Sequence, residues 1–278
     1  MKIVAALWFR NIKIFMRNRV QLVFTIIMPF FFLYVFNAIF NNDNIDNPVN
    51  YMLAGIVITT VFQTALSIAT GTIDDIVTGF MKEVLVSPVK RIQVCAGQLL
   101  SAATIATIQG IIIVFIGYFI GLKFNSVLTP IAVIGVMIAV GLVFSGLGLF
   151  LAALIKNSQT FQVVQAAIVM PLTFLCGAYI PLSLLPDLLR NFAYLNPMTY
   201  TTAFFRTVIL EKTSLPAEQL VAEQLAFKIG NFTITPAISM VIVLIFGGVF
   251  LMLATYVFSR VDFSRINRSK SKESDIWN

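Results

Sequence analysis

"IQVCAGQLLSAATIATIQGIIIVFIGYFIGL", residues 92–122, contains no charged side chain. An α-helix rises 1.5 Å per residue, so about 20 residues cross the ~30 Å hydrocarbon core of a bilayer. This stretch exceeds that length. A Lys, Arg or Asp at the centre of a spanning helix costs roughly 2.5–3.5 kcal/mol, so the missing charge carries information. The same property marks residues 20–42, 47–73, 124–155, 157–186 and 229–259. A membrane β-barrel would instead alternate apolar and polar residues over segments of ~10, and no such alternation is visible. The expectation is an all-α integral membrane protein with six transmembrane helices.

Composition agrees. The 278-residue chain is 59% hydrophobic and 11% charged, with a mean hydropathy of +0.93. Soluble domains carry about 25% charged residues, and this chain could not cover a water-facing surface. An even number of crossings puts both termini on one side. Of the 19 Lys and Arg, only Lys123, Arg190, Arg206, Lys212 and Lys228 then fall outside, and the other 14 fall inside. That asymmetry is the positive-inside signature. It assigns the net charge of +7 to orientation and anionic lipid, not to nucleic acid.

Outward from this frame, one membrane domain spans 1–278 and no internal repeat is evident. Residues 1–19 form an amphipathic interfacial helix. At 100° per residue, Lys2, Arg10, Lys13 and Arg17 fall within about 80° of one another, with Trp8, Phe9, Ile12 and Phe15 away from that stripe. The apolar run that follows is longer than a signal-peptide h-region of roughly 7–15 residues and has no A-x-A site, which predicts a retained first helix. Spans are expected near 20–40, 51–73, 93–121, 130–155, 160–180 and 236–259. Between the fifth and sixth, "NFAYLNPMTYTTAFF" (191–205) is apolar but too short to cross. Non-helical backbone at membrane depth survives only inside protein or beside a wet cavity. Two re-entrant half-helices, about 183–193 and 198–210, are therefore expected, broken at Asn196-Pro197. Residues 211–235 are polar and read as a surface loop or short helix. The charged tail 260–278 suits an anionic lipid surface.

Catalytic chemistry has little to work with. The chain has no His, which removes the commonest general base and metal ligand. Metal-ligand clusters are missing from the sequence. Carboxylates, the mark of proton relays and ion-coupled carriers, are absent from all six runs. The phosphate-cradling G-x-x-x-x-G-K-[ST] loop does not occur. Cys95 and Cys176 fall near opposite faces, too far apart for a disulfide.

Uncharged polar residues do occur within spans. Gln63 marks the second, Gln109 the third, and Gln159, Gln162 and Gln165 the fifth. Two readings stay open: interhelical hydrogen bonds, worth ~0.6 kcal/mol on average, or a lining for an amphiphile's path. Gly141-x-x-x-Ser145 with Gly148 is a small-residue face for close helix packing.

The apolar pattern breaks most sharply at "GFMKEVLVSPVKR", residues 79–91. Phe80, Met81, Val84 and Leu85 recur as on one face of a short helix, with Lys82 and Glu83 opposite. Ser87-Pro88 then resets the chain, since Pro disfavours helix in the residue before it and Ser-Pro suits the start of the next helix. Within the inner segment 74–91, this is either a plain interfacial loop or a lever that carries force from a soluble partner to two helices.

Two motifs carry a resemblance. One is Gly79, Lys82-Glu83-Val84-Leu85-Val86-Ser87-Pro88-Val89-Lys90-Arg91 and Gly97. The other is Gly177, Pro181-Leu182-Ser183-Leu184-Leu185-Pro186, Leu189-Arg190, then Leu195-Asn196-Pro197-Met198-Thr199-Tyr200 and Arg206. In this order, over nearly all of the chain, they resemble the ABC-2 type transporter permeases, the membrane subunits of bacterial exporters such as the daunorubicin exporter. The resemblance implies a bacterial plasma-membrane, multi-pass permease with both termini cytoplasmic. It implies two copies of a separate ATP-binding cassette subunit, which would hold ATP and Mg, and a second permease copy or paralogue. This chain itself would hold no cofactor and catalyse nothing. Residues 79–91 become the ATPase-coupling helix, with Glu83 meeting the ATPase beside Lys82, Lys90 and Arg91. Phe80, Val84 and Leu85 seat it, and Pro88 ends it. Arg10, Lys13 and Arg17 belong to the N-terminal docking helix. Pro186, Asn196, Pro197, Tyr200 and Arg206 belong to an outer gate, while Gln63, Gln109, Gln162 and Gln165 are pathway candidates. The expected function is export of an amphiphile: a drug-like compound, a lipid or a lipid-linked glycan. A membrane sensor or scaffold that recruits a soluble partner without transport is the alternative.

Overall fold

The computed structural model describes residues 2–40, 48–81, 84, 89–155, 157–230 and 232–260. Helix α1 (Lys2–Arg17) is followed by α2 (Arg19–Phe40). Asn18 parts them: its Oδ1 accepts the Gln21 amide at 3.2 Å, an N-cap that starts α2 afresh, and the chain turns by 69°. Helices α3 (Pro48–Ser67) and α4 (Ala69–Val77) run on from one another as a single apolar stretch, Asn50–Val77. Then come α5 (Arg91–Ile120), α6 (Leu128–Leu154) and α7 (Ser158–Leu175). Two shorter helices follow, α8 (Asp187–Leu195) and α9 (Pro197–Ile209). The described residues close with α10 (Ala217–Ala222), a two-stranded hairpin of β1 (Phe227–Ile229) and β2 (Phe232–Ile234), and α11 (Pro236–Arg260).

The protein is an all-α integral membrane protein in its architecture. Among the described residues, four helices are long and apolar enough to cross a bilayer: Asn50–Val77, Arg91–Ile120, Leu128–Leu154 and Pro236–Phe258. A fifth is added when α1 and α2 are counted as one bent span. Helix α7 has 18 residues, and Gln159, Gln162 and Gln165 fill its first half.

Inside a bilayer, lipid tails are as apolar as leucine, so helices associate through close packing and not through expulsion of water. Glycines permit that closeness here. A Cβ on Gly141 of α6 would lie 2.9 Å from the Ala103 Cα of α5, and one on Gly148 would lie 2.8 Å from the Leu66 carbonyl of α3. Ser145 between them is buried. The expected small-residue face of α6 is thus its seam with α3 and α5. Phe62 and Phe144 meet edge to face across the same seam, 4.6 Å between centroids. Helix α3 is buried along nearly its whole length, in the centre of the main core.

Two expectations are corrected. Residues 211–235 hold a hairpin as well as a short helix, with Phe227 paired to Ile234. Its three-residue strands fall below the usual strand length of about 5–6, too short for alternation to register. Helix α5 begins at Arg91, and Lys90 is its N-cap, its amide donating to Gln93 Oε1 at 3.3 Å. The expected Ser87-Pro88 cap, with Lys82, Glu83 and Leu85, lies outside the described residues, as does the tail beyond 260.

Candidate coupling site and outer gate

At the α4 end of the long Asn50–Val77 stretch, six pieces of chain converge on one apolar cluster. Leu7 of α1, Ile76 of α4, Met81, Val94 and Cys95 of α5, Leu149 and Ala153 of α6, and Ala254 and Phe258 of α11 form it. Phe80, Val84 and Val89 pack against it. Gly79 makes this possible. It follows α4 with φ +86, a left-handed conformation that glycine adopts at little cost, and the turn brings Phe80 and Met81 onto the cluster. Phe80 and Val84 are both partly buried there. Met81, 0% exposed, is the deepest anchor of the segment; it was visible on the apolar face but carried no assigned role.

Helix α1 is clamped to this seat. Arg10 donates from Nη1 to Asp75 Oδ2 at 2.8 Å and from Nη2 to Asp75 Oδ1 at 2.5 Å. This is a bidentate, charge-assisted pair. The same guanidinium lies 4.0 Å from the centroid of the Phe80 ring, within cation–π reach. Asp75 raises the already high pKa of Arg10, mainly through the hydrogen bond, against the opposing effect of burial. Farther along α1, Trp8 Nε1 donates to Thr104 Oγ1 at 3.0 Å, and Asn11 Nδ2 donates to Gln98 Oε1 at 2.7 Å and Ser101 Oγ at 2.8 Å. Leu7 rests on Gly97, where a Cβ would come within 3.1 Å. Asp74, beside Asp75, accepts from Ser158 Oγ at the start of α7 at 2.5 Å.

Docking on α5 buries the face of α1 opposite the exposed Lys2, Lys13 and Arg17, and Phe9 departs from the expected apolar side. Leu7 and Phe15 are buried, while Phe9 is 62% exposed. Lys13 and Arg17 are exposed on the other side, and so is Lys90; Arg91 is half-buried. Asp75 and Asn11 were missed as participants. A carboxylate close behind a membrane span, one turn before a Gly, was the available signal for Asp75. Nothing local marks Asn11, because its partners lie far along the chain.

The expected outer gate sits about 36 Å away by helix rise, since Tyr51 and Asp75 mark opposite ends of one stretch. Asn196 joins α8 to α9. Its Oδ1 accepts the Met198 amide at 2.9 Å as an N-cap, with Pro197 at the first helical position. Its Nδ2 donates to the Leu172 carbonyl of α7 at 2.7 Å. Thr199 Oγ1 and Tyr200 Oη donate back to the carbonyls of Ala193 and Tyr194, at 2.7 and 2.5 Å. Pro186 precedes the first residue of α8. Arg206, 2% exposed, donates to the carbonyls of Gly177 and Ala178 at 3.1 and 3.4 Å and lies 3.4 Å from the Tyr51 ring centroid. Of the five gate residues named from the sequence, Pro186 caps α8, Asn196, Pro197 and Tyr200 sit at the α8–α9 junction and Arg206 lies farther along α9, which is buried among α3, α6 and α11.

The glutamines separate. Gln63 lines a cavity of about 280 Å³ between α2, α3 and α7, with Met28, Phe32, Phe174 and Tyr179. Gln165 donates to Ser67 Oγ at 2.6 Å, on the same α3–α7 seam. Gln162 is exposed. Gln109 is buried between α5 and α3 and accepts from Thr64 Oγ1. It makes the interhelical bond of the simpler reading and does not line that cavity.

Comparison with known proteins gives three kinds of relative. A family model described as ABC-2 type transporter matches residues 3–210. The protein ycf38 of Cyanophora paradoxa is 26% identical over 240 residues, 83% of this chain and 80% of its own. The inner membrane transport permease YadH of Escherichia coli is 25% identical over 223 residues, 76% of this chain and 84% of its own. Nodulation protein J of Bradyrhizobium diazoefficiens is 32% identical over 117 residues, 42% of this chain and 44% of its own.

Proposed function

The chain belongs to the ABC-2 type transporter family, and from that premise we propose that it is the permease subunit of an ATP-driven exporter. A multi-pass membrane transport subunit is the common ground of the family and of its named permeases. The finer reading is ours. Two copies of a separate ATP-binding cassette subunit dock on the cytoplasmic face and hold ATP and Mg. A second permease copy or paralogue completes the transporter. The substrate is amphiphilic: a drug-like compound, a lipid or a lipid-linked glycan. The membrane is the bacterial plasma membrane, with both termini cytoplasmic and six crossings, α2 and α7 adding to the four long apolar helices.

The observation that carries this reading is the clamp of Arg10 between Asp75 and Phe80 on a cluster shared by α1, α4, α5, α6 and α11. In this reading a push delivered at residues 79–91 is passed to those helices through Phe80, Met81, Val84 and Val89, which pack on the shared cluster. Glu83, with Lys82, Lys90 and Arg91, meets the ATPase; Phe80, Val84 and Leu85 seat the lever and Pro88 ends it; Arg10, Lys13 and Arg17 extend the docking surface. Closure of the ATPases on nucleotide shifts this unit, and α3 carries the shift to the gate formed by Pro186, Asn196, Pro197, Tyr200 and Arg206. The substrate passes at the interface of two copies, beside Gln63 and Gln165. Exposed apolar side chains on α2 and α7, such as Phe24, Phe31, Val163 and Met170, leave that face available to a second copy or to lipid.

The test is a Glu83→Ala, Phe80→Asp double variant, assayed for export and for substrate-stimulated ATPase activity of the co-purified complex. Loss of both, with the protein still in the membrane, is expected. Normal export from the variant contradicts the coupling role.

A further inference from the structure

A cavity of about 170 Å³ opens at the α8–α9 end of the molecule. One water centre needs only ~10–15 Å³ of such volume, so a small polar group fits with room for solvent. Its walls are unusual in charge. Arg190, Arg206 and Lys228 all line it, and among the described residues no Asp or Glu does. These are three of the five basic residues that the positive-inside pattern leaves on the outer side. Cations there oppose the orientation rule, and their concentration in one cavity asks for a cause.

Arg206 is the centre of the argument. A fully buried guanidinium is costly unless paired, and among the described residues it has no carboxylate partner. Two carbonyls and the Tyr51 ring hold part of it. Gly177 supplies the geometry: with φ +78 it turns its own carbonyl and that of Ala178 onto one Nη. The Nε–H is buried with no hydrogen-bond partner. Arg190, at the mouth, shares its charge with Asp187 on α8, and Lys228 is exposed on β1. The nearby acid Glu223 is engaged by Lys212 and does not line the cavity.

We propose that this cavity is an anion site that takes a phosphate group, with Arg206 as its buried donor and Arg190 and Lys228 as its rim. A tetrahedral oxyanion accepts from several directed N–H groups at once, which suits a guanidinium fork flanked by an ammonium. The phosphate arrives either on a lipid headgroup or as the free ion; the recognising chemistry is the same. The site stands on one chain's geometry and requires no step of the transport cycle.

The experiment uses the purified chain in phosphatidylcholine nanodiscs, with and without a minor share of phosphatidylglycerol. Inorganic phosphate is titrated by ³¹P NMR line broadening, and retained lipid is counted by native mass spectrometry. Saturable phosphate binding in phosphatidylcholine discs identifies the free ion. One phosphatidylglycerol retained per chain, in preference to phosphatidylcholine, identifies the headgroup. Arg206→Gln weakens whichever binds by about tenfold. Because Arg206 is buried, the rim pair Arg190→Gln/Lys228→Gln is made as well; it leaves the core intact and weakens binding about fivefold. No binding of either probe, or binding undiminished in the rim variant, overturns the proposal. Neither arm involves an ATPase, so this result and the transport assay fail independently.

Discussion

Replacing Arg10 with Ala should loosen α1 from the bundle without unfolding the rest. The guanidinium makes two hydrogen bonds to Asp75, at 2.8 and 2.5 Å, and one ring contact to Phe80 at 4.0 Å. Hydrogen bonds to charged groups contribute roughly 1.5–3 kcal/mol. The Arg10 side chain is 33% exposed and Asp75 11%, so solvent screening brings the pair to about 1–2 kcal/mol. The ring adds about 0.5–1 kcal/mol. The total, about 1.5–3 kcal/mol, corresponds to a roughly 10- to 140-fold rise in local opening of α1, by the relation that about 1.4 kcal/mol is tenfold. Hydrogen exchange in detergent or nanodiscs reads this directly, because helices open in separate cooperative units. Protection of α1 amides should fall by that factor, while amides in the middle of α6 keep theirs. A double-mutant cycle with Asp75→Ala should return a coupling of about 1–2 kcal/mol. Unchanged α1 protection, or a coupling under about 0.3 kcal/mol, would show that packing on α5 alone holds α1 and that the clamp is idle.

Gly141→Val forces a side chain into the 2.9 Å approach to Ala103, and overpacking of this kind costs about 1–3 kcal/mol; unfolding in a denaturing detergent should show the loss, and a Gly135→Val control, at a position with open space, should not. At the far end, Glu211 accepts from the Asn125 and Ser126 amides and from Thr129 Oγ1. These bonds, Thr129's first, lower its pKa below the ordinary 4.5. A depressed folded-state pKa means stabilisation that is complete above the ordinary carboxylate range and disappears as pH falls through the lowered value. Protection of the Asn125 and Ser126 amides should therefore persist at pH 5 and collapse only in stronger acid, and Glu211→Gln should abolish that pH dependence; loss near neutral pH would contradict the assignment.

The membrane class was legible because charge-free length is a local property with a large free energy behind it. The break at Asn196-Pro197 was legible for the same kind of reason: an Asn-Pro pair inside an apolar run too short to cross has few other uses, and the helix ends fall within a few residues of those expected. The Arg10–Asp75 clamp was not legible. It joins residues far apart in sequence, and α1's docking face is fixed by Gly97, Gln98, Ser101 and Thr104 on another helix, not by its own apolar stripe. Phe9, apolar yet exposed, lies only about 20° from Lys2 at 100° per residue, so the helix period and not its apolar character decides its side. Gln63 and Gln109 look alike in sequence; only the neighbouring helices decide that one borders a cavity and the other closes an interhelical bond. The hairpin at 227–234 was too short for periodicity to reveal.

One measurement bears most directly on the central claim that this bundle is moved by an engine on a separate chain. The chain is reconstituted in liposomes with and without the proposed ATP-binding cassette subunit, sought by co-purification, and uphill movement of a fluorescent amphiphile is followed on addition of ATP and Mg. The account predicts accumulation only when both chains are present, abolished by Phe80→Asp. Uphill ATP-dependent transport by this chain alone would contradict it.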